Sequence, residues 1–236
     1  MVTSATPPTS PQPTRRVAVA GATGLVGRCL VEQLCADPGV AVVHALVRRA
    51  LPVTHPKLQV HVVDFTALPA LPALDEVYLS LGTTIKIAGS QEAFRAVDLD
   101  ANLAVARAAQ AAGARRAGLV SAMGAAAHAK LFYSRVKGEL EEALAALHFD
   151  TLVIAQPSML RGDRAALGQP VRPAEQWAER MGRLLGPILS RRVRAIPAAD
   201  VAAALVRHVP RAPVSPYPLV INSASLWGAS LATVTV

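Results

Sequence analysis

Residues 17–27 read VAVAGATGLVG, and this stretch decides the fold. Val17 to Ala20 make a short apolar strand, Gly21, Gly24 and Gly27 follow at spacings of three, and Leu25, Cys29, Leu30 and Leu34 then recur with the period of a helix. A strand, a tight turn and a helix in that order suit the pyrophosphate of a dinucleotide. The first glycine permits the turn, the second lets backbone approach the phosphates, and the third lets the helix pack closely on the sheet. Free amides at the helix start then face the negative charge. A plain strand-to-helix turn uses the same glycines, and the common fingerprint spaces them two and three apart. Their place after the first strand, opening the first helix, favours the cofactor.

Outward from this turn, strands and helices alternate. Asp37-Pro38-Gly39 stops the first helix, and strands are expected at Val40 to Val47, Leu58 to Val63, Glu76 to Leu81, Ala117 to Ser121 and Thr151 to Ala155. Helices are expected over 91–112, 129–147, 174–185 and 198–208, with a late strand at 219–222. Apolar strands each followed by a helix or crossover require a parallel sheet covered on both faces. The expectation is therefore an α/β fold: a doubly wound, mostly parallel sheet with helices on both faces and a small C-terminal substrate-binding region. One domain spans residues 15–236, with insertions at 158–195, and the Pro- and Ser-rich residues 1–14 form a disordered arm.

Composition narrows the function classes. With 236 residues and 52% hydrophobic content the chain is large enough for one core, and no apolar run approaches the roughly 18 to 20 residues of a membrane span. A soluble protein without membrane or nucleic-acid partners is expected, because the charge of +8 comes from scattered arginines rather than a basic run. Cys29 and Cys35 lie six apart on opposite faces of one helix, which disfavours a disulfide. The arm lacks the apolar core of a secretory signal, so a cytoplasmic location is expected. The six histidines show no paired ligand spacing, and no metal is expected.

Tyr133 and Lys137 stand at i and i+4 of a helix and project from one face. An ammonium beside a phenol favours its ionised form and makes it a usable acid-base group near neutral pH. Ser121, at a strand end, offers an oxygen to the same substrate carbonyl. At the end of the second strand, where an acidic residue would receive a free ribose hydroxyl, the chain has Arg48 and Arg49, which suit a 2′-phosphate; NADP(H) is preferred over NAD on this ground. Asp64 is either an acceptor for the adenine amino group or a turn residue. His128 reads as a solvent-facing side chain, and Trp177 with Met181 as core packing or a pocket wall.

These residues together resemble the short-chain dehydrogenase/reductase superfamily, in its atypical branch, and most of all the Tat-interacting-protein-like NADPH-binding oxidoreductases. The likeness is carried by GATGLVG at 21–27, LVRR at 46–49, VDF at 63–65, LSLGTT at 79–84, VDLDANLAVARAAQAAGARR at 97–116, LVSAMGA at 119–125, YSRVKGELE at 133–141 and HFDTLVIAQPSMLRGDR at 148–164. It implies a Rossmann-type fold and a cofactor held by Gly21, Thr23, Gly24, Leu25, Val26 and Gly27, by Arg48 and Arg49, by Asp64 and Phe65, and by Leu81, Gly82, Thr83 and Thr84. Pro157 would sit near the nicotinamide. By the same resemblance Tyr133 donates the proton, Lys137 binds the nicotinamide ribose, and Ser121 orients a small-molecule substrate. Gln156 departs from the arginine common before that proline, and the short region after it disfavours a nucleotide-sugar substrate. The expected activity is NADPH-dependent carbonyl reduction by a monomer or homodimer. An NADP(H) sensor without turnover, or an epimerase or dehydratase that retains its cofactor, is the alternative.

Overall fold

The computed structural model describes residues 15–161 and 195–229. The arm, most of the expected substrate region, the 174–185 helix, Trp177 and Met181 lie outside the described residues. Strands β1 (Arg15–Ala20), β2 (Val40–Val47), β3 (Leu58–Val62), β4 (Glu76–Leu79), β5 (Arg116–Val120), β6 (Thr151–Gln156) and β9 (Leu219–Asn222) form one sheet in the order β3-β2-β1-β4-β5-β6-β9. Every neighbouring pair in it is parallel. Two short strands, β7 (Leu160–Arg161) and β8 (Ile196–Pro197), pair separately.

Helices cover both faces. They are α1 (Leu25–Ala36), α2 (Ile85–Ala88), α3 (Gln91–Arg95), a π-helical segment Ala96–Ala101 leading into α4 (Asn102–Ala111), α5 (Phe132–Ala145), α6 (Ala198–His208) and α7 (Ser223–Leu226). The period-two alternation of β1 shows why two layers form. Val17 and Val19 join a core with Leu30 and Leu34 of α1 and Val201 and Leu205 of α6. Ala18 and Ala20 point the other way, into a core with Val105 of α4 and Leu140 of α5. Strand order reverses between β1 and β4, and that switch point opens a crevice at the carboxyl ends of the strands.

Three elements differ from the sequence expectation. The helix expected from residue 129 begins at Phe132, because Ala129 N–H closes a turn onto Ala126 O at 2.9 Å and Leu131 stays extended. The 91–112 helix contains the π segment, where the Asn102 side-chain amide donates to Asp98 O at 3.0 Å and also ties the segment to Leu81 O, after β4, at 3.1 Å. Strand β4 stops at Leu79, although Ser80 N–H still reaches Ala20 O at 3.0 Å.

Many of the scattered arginines serve the opposite end of the sheet. Arg15 pairs with Glu76 at 2.9 Å, Arg16 with Asp75 at 2.8 Å and Arg115 with Asp150 at 2.6 Å. An open depression of about 390 Å³ lies among Arg15, Asp75, Glu76 and Arg116, at the amino ends of the strands and away from the glycine turn.

On adjacent strands, His44 Nδ1 lies 2.9 Å from His61 Nε2. Burial lowers the His44 pKa, and His61 and Arg16 lower it further. The unfolded chain takes up a proton near pH ~6.5, where folded His44 still refuses it. Stability is therefore full above that pH and falls as pH drops through it toward the folded value. His208, lowered by burial and by Arg207 and Arg211, acts with the same sign. Urea unfolding at about pH 7.5 and about pH 5.5 is expected to show lower stability at the acid value, with a smaller drop in His44→Gln; equal drops in both proteins would count against the histidine pair.

Candidate active site

The glycine turn has no room for side chains. Gly21 adopts φ +86°, and a Cβ there would meet Ser80 O at 2.5 Å, while one on Gly27 would meet Gly21 O at 2.0 Å. Gly24 N–H closes the turn onto Gly21 O at 2.9 Å, and the first helical bond runs from Arg28 N–H to Gly24 O at 3.0 Å. The amides of Leu25, Val26 and Gly27 thus precede the helical ladder, with no side-chain cap and no acidic residue in the first turn. Positive partial charge at this helix start meets no carboxylate of its own, which fits an anionic phosphate group. Thr23 is exposed at the same turn.

Around the turn, Arg48 and Arg49 are exposed directly after β2 and pair with no carboxylate among the described residues. Asp64, two residues past β3, is a turn residue: its Oδ1 accepts Thr66 N–H at 2.9 Å and Thr66 O–H at 2.7 Å, and these bonds lower its pKa. Phe65 and Leu81 pack on the core of the α4 and α5 face. Thr84 caps α2 through its side chain. Pro157 is buried after β6, and its carbonyl accepts Met123 N–H at 2.8 Å.

The structure brings Lys137 to the loop after β4. The residue is 4% exposed, its ammonium lies 2.7 Å from Asp98 Oδ1, and Asp98 Oδ2 accepts Thr83 N–H at 2.8 Å. A Cβ on Gly82 would come within 3.9 Å of Lys137 Nζ. Tyr133, half-exposed, leans on Phe94 with ring centroids 5.7 Å apart. Ser121 is buried, and its hydroxyl donates to Glu141, whose two oxygens also receive the Gln156 amide at 3.0 and 3.1 Å. Tyr133, Lys137 and Glu141 follow at i, i+4 and i+8, so one face of α5 addresses the ends of β4, β5 and β6. His128 is exposed before α5, as a solvent-facing side chain.

Sequence reasoning missed Asp98, Asn102 and Glu141. The first two carried a legible signal: Phe94, Asp98, Asn102, Val105 and Ala109 form the buried stripe of their helix, so two polar residues stand where apolar ones belong. Glu141 had the weaker signal of a third i+4 step.

Fold and turn together define a dinucleotide-binding Rossmann protein. The chain belongs to the NAD(P)H-binding family, whose model matches residues 21–210. It is 40% identical over 149 residues to "Protein FMP52, mitochondrial" of Eremothecium gossypii, covering 62% of this chain and 66% of that protein. It is 35% identical over 184 residues to "Protein fmp52, mitochondrial" of Emericella nidulans, covering 74% of this chain and 77% of that protein. Among solved structures, a short-chain dehydrogenase/reductase family oxidoreductase from Burkholderia thailandensis superposes with a TM-score of 0.64 at 20% identity, covering 93% of this chain and 96% of that one. The fold is one shared by oxidoreductases and epimerases.

The relatives correct one expectation. A cytoplasmic location followed from the missing apolar leader, whereas these relatives carry mitochondrial names. The physical reason is that lack of an apolar core excludes a secretory signal only; organelle addresses are polar, rich in Ser and Arg and poor in acids.

Removing one partner of the Lys137–Asp98 pair leaves a charge uncompensated in the interior. Asp98→Ala is expected to lower unfolding stability by about 3 to 5 kcal/mol. Urea denaturation checks it, and a loss below about 1 kcal/mol, as for a surface pair, would show that water reaches the ammonium.

Proposed function

We propose that the chain is an NADP(H)-dependent reductase of small carbonyl compounds. The observation that carries this reading is the single face of α5 on which Tyr133, Lys137 and Glu141 align, with Ser121 bound to the last of them and Gly82 beside the second. In this reading the amides and glycines of 21–27, with Thr23, Leu25 and Val26, hold the pyrophosphate. Arg48 and Arg49 hold the 2′-phosphate, Asp64 and Phe65 border the adenine, and Leu81, Gly82, Thr83, Thr84 and Pro157 line the path to the nicotinamide. When bound, the reduced cofactor supplies the hydride. Tyr133 gives its phenolic proton to the substrate oxygen, and Lys137 binds the ribose and steadies the phenolate that remains. Ser121 orients the oxygen, which requires its hydroxyl to turn from Glu141 toward the substrate while Gln156 keeps the carboxylate bonded.

Tyr133→Phe is expected to abolish NADPH consumption with aldehydes while leaving NADPH affinity nearly unchanged. Unchanged turnover would reject Tyr133 as the proton donor. Replacing Arg48 and Arg49 together by Ala is expected to weaken NADPH binding roughly 10- to 100-fold, the worth of one or two charge-assisted bonds, and NADH binding little. Fluorescence titration with both nucleotides measures this, and equal losses for the two would remove the 2′-phosphate assignment.

A second reading, an NADP(H) sensor without turnover, draws on two features: Asp98 offsets the charge of Lys137, and Glu141 occupies the one Ser121 proton. Tight cofactor binding with no turnover across a panel of carbonyl compounds would support it.

A further inference from the structure

We propose that the rim above Ser121 and Tyr133 binds an apolar, chain-like substrate; the inference rests on the reductase reading and names its substrate class. Three loops follow the carboxyl ends of β4, β5 and β6, and each holds large apolar side chains in water. Ile85 and Ile87 come from the first, Met123 and Leu131 from the second, and Met159 from the third, with exposures running from 40% at Ile85 to 74% at Leu131. Contacts knit these loops around the site. Met123 N–H reaches Pro157 O at 2.8 Å, and Ala126 N–H reaches Ser134 O at 3.1 Å, beside Tyr133. Helix α2 packs against α3, whose Phe94 lies against the Tyr133 ring.

Charge on these loops has one sign. Residues 82–90, 122–131 and 157–161 hold Lys86, Lys130 and Arg161 and no Asp or Glu. A polyhydroxylated ligand is held by carboxylates that accept its hydroxyl protons, and among the described residues these three loops offer none. Methionine and branched aliphatic side chains fit a flexible hydrocarbon instead, the two methionines adapting to its shape. The other exposed aliphatic groups among the described residues lie outside these loops: Val60 with Val62 and Leu219 with Val220 on the edge strands β3 and β9, Val53 between β2 and β3, and Val214 between α6 and β9. Large apolar side chains beside a proton-donor candidate, fringed by cations, are the walls of a site for a hydrocarbon chain that carries its carbonyl to Tyr133.

The test needs no turnover. Full-chain protein saturated with NADP+ is titrated calorimetrically with straight-chain primary alcohols from 1-butanol to 1-decanol. Affinity is expected to rise about two-fold per methylene, against roughly four-fold for a methylene buried completely. Leu131→Asp and Ile87→Ser should each flatten that rise, and Val62→Asp, on the exposed edge strand, should not. Affinity independent of chain length overturns the proposal. So does pelleting with phosphatidylcholine–phosphatidylserine vesicles that is lost in Leu131→Asp while alcohol affinity stays flat, which assigns the rim to a membrane surface. A chain-length dependence without NADPH consumption on decanal upholds the site and rejects the reductase reading alone.

Discussion

A lysine ammonium held out of water must meet a counter-charge, and the crevice side of this fold is organised around that demand. Lys137 on α5 finds Asp98 at 2.7 Å, and Asp98 in turn fixes the backbone of Thr83. One carboxylate thereby ties together the helix carrying Tyr133, the helix after β4 and the loop that begins at Gly82. Isolated, either charge would cost several kcal/mol in such a place. Paired, they act as a rigid joint, since any movement of α5 relative to the loop pulls the two charges apart in a low-dielectric setting. The π segment is part of the same arrangement. It lengthens the helical turn at Asp98, and the Asn102 side-chain amide donates to Asp98 O there.

How much of this was legible follows from how local each signal is. The turn at 21–27 was readable because its glycines, strand and helix adjoin in sequence, and the clashes at Gly21 and Gly27 show that the chain there has no alternative residue. Parallel topology was readable from apolar runs, since a strand buried on both faces has no polar side to display. Lys137 was legible through its spacing from Tyr133. Its partner was missed although the helical stripe through Phe94, Asp98 and Asn102 marked it, because Asp98 and Asp100 look alike in VDLDAN until the period separates the buried one from the one left in water. The start of α5 was misjudged because Ala129, Lys130 and Leu131 have helical composition, yet the turn from Ala129 N–H to Ala126 O and the extended Leu131 hold them outside the helix.

Charge balance was harder to read than fold. Taken from composition, +8 describes a basic protein, but Arg15, Arg16, Arg95 and Arg115 each meet a carboxylate distant in sequence. The uncompensated cations that matter are those without such partners among the described residues, Arg48 and Arg49 beside the turn and Lys86 and Lys130 on the rim. Arg48 and Arg49 beside the turn therefore remain available to draw an anionic ligand toward the helix start.

The hydroxyl at position 121 has a single proton, and in the proposed reaction where that proton points decides what the site receives. Donated to Glu141, it leaves only lone pairs facing the crevice, and a carbonyl oxygen offers lone pairs as well. The two repel until the hydroxyl rotates. Gln156 makes the rotation affordable: its amide already reaches both oxygens of Glu141, so the carboxylate loses one donor and keeps another. An arginine at position 156 would bind the carboxylate with a full charge and leave the serine less needed there. A neutral amide holds it more weakly, so the carboxylate keeps the serine proton until a substrate oxygen competes for it. The departure from the family pattern at Gln156 thus acts on the group one contact removed from it, through the orientation of Ser121.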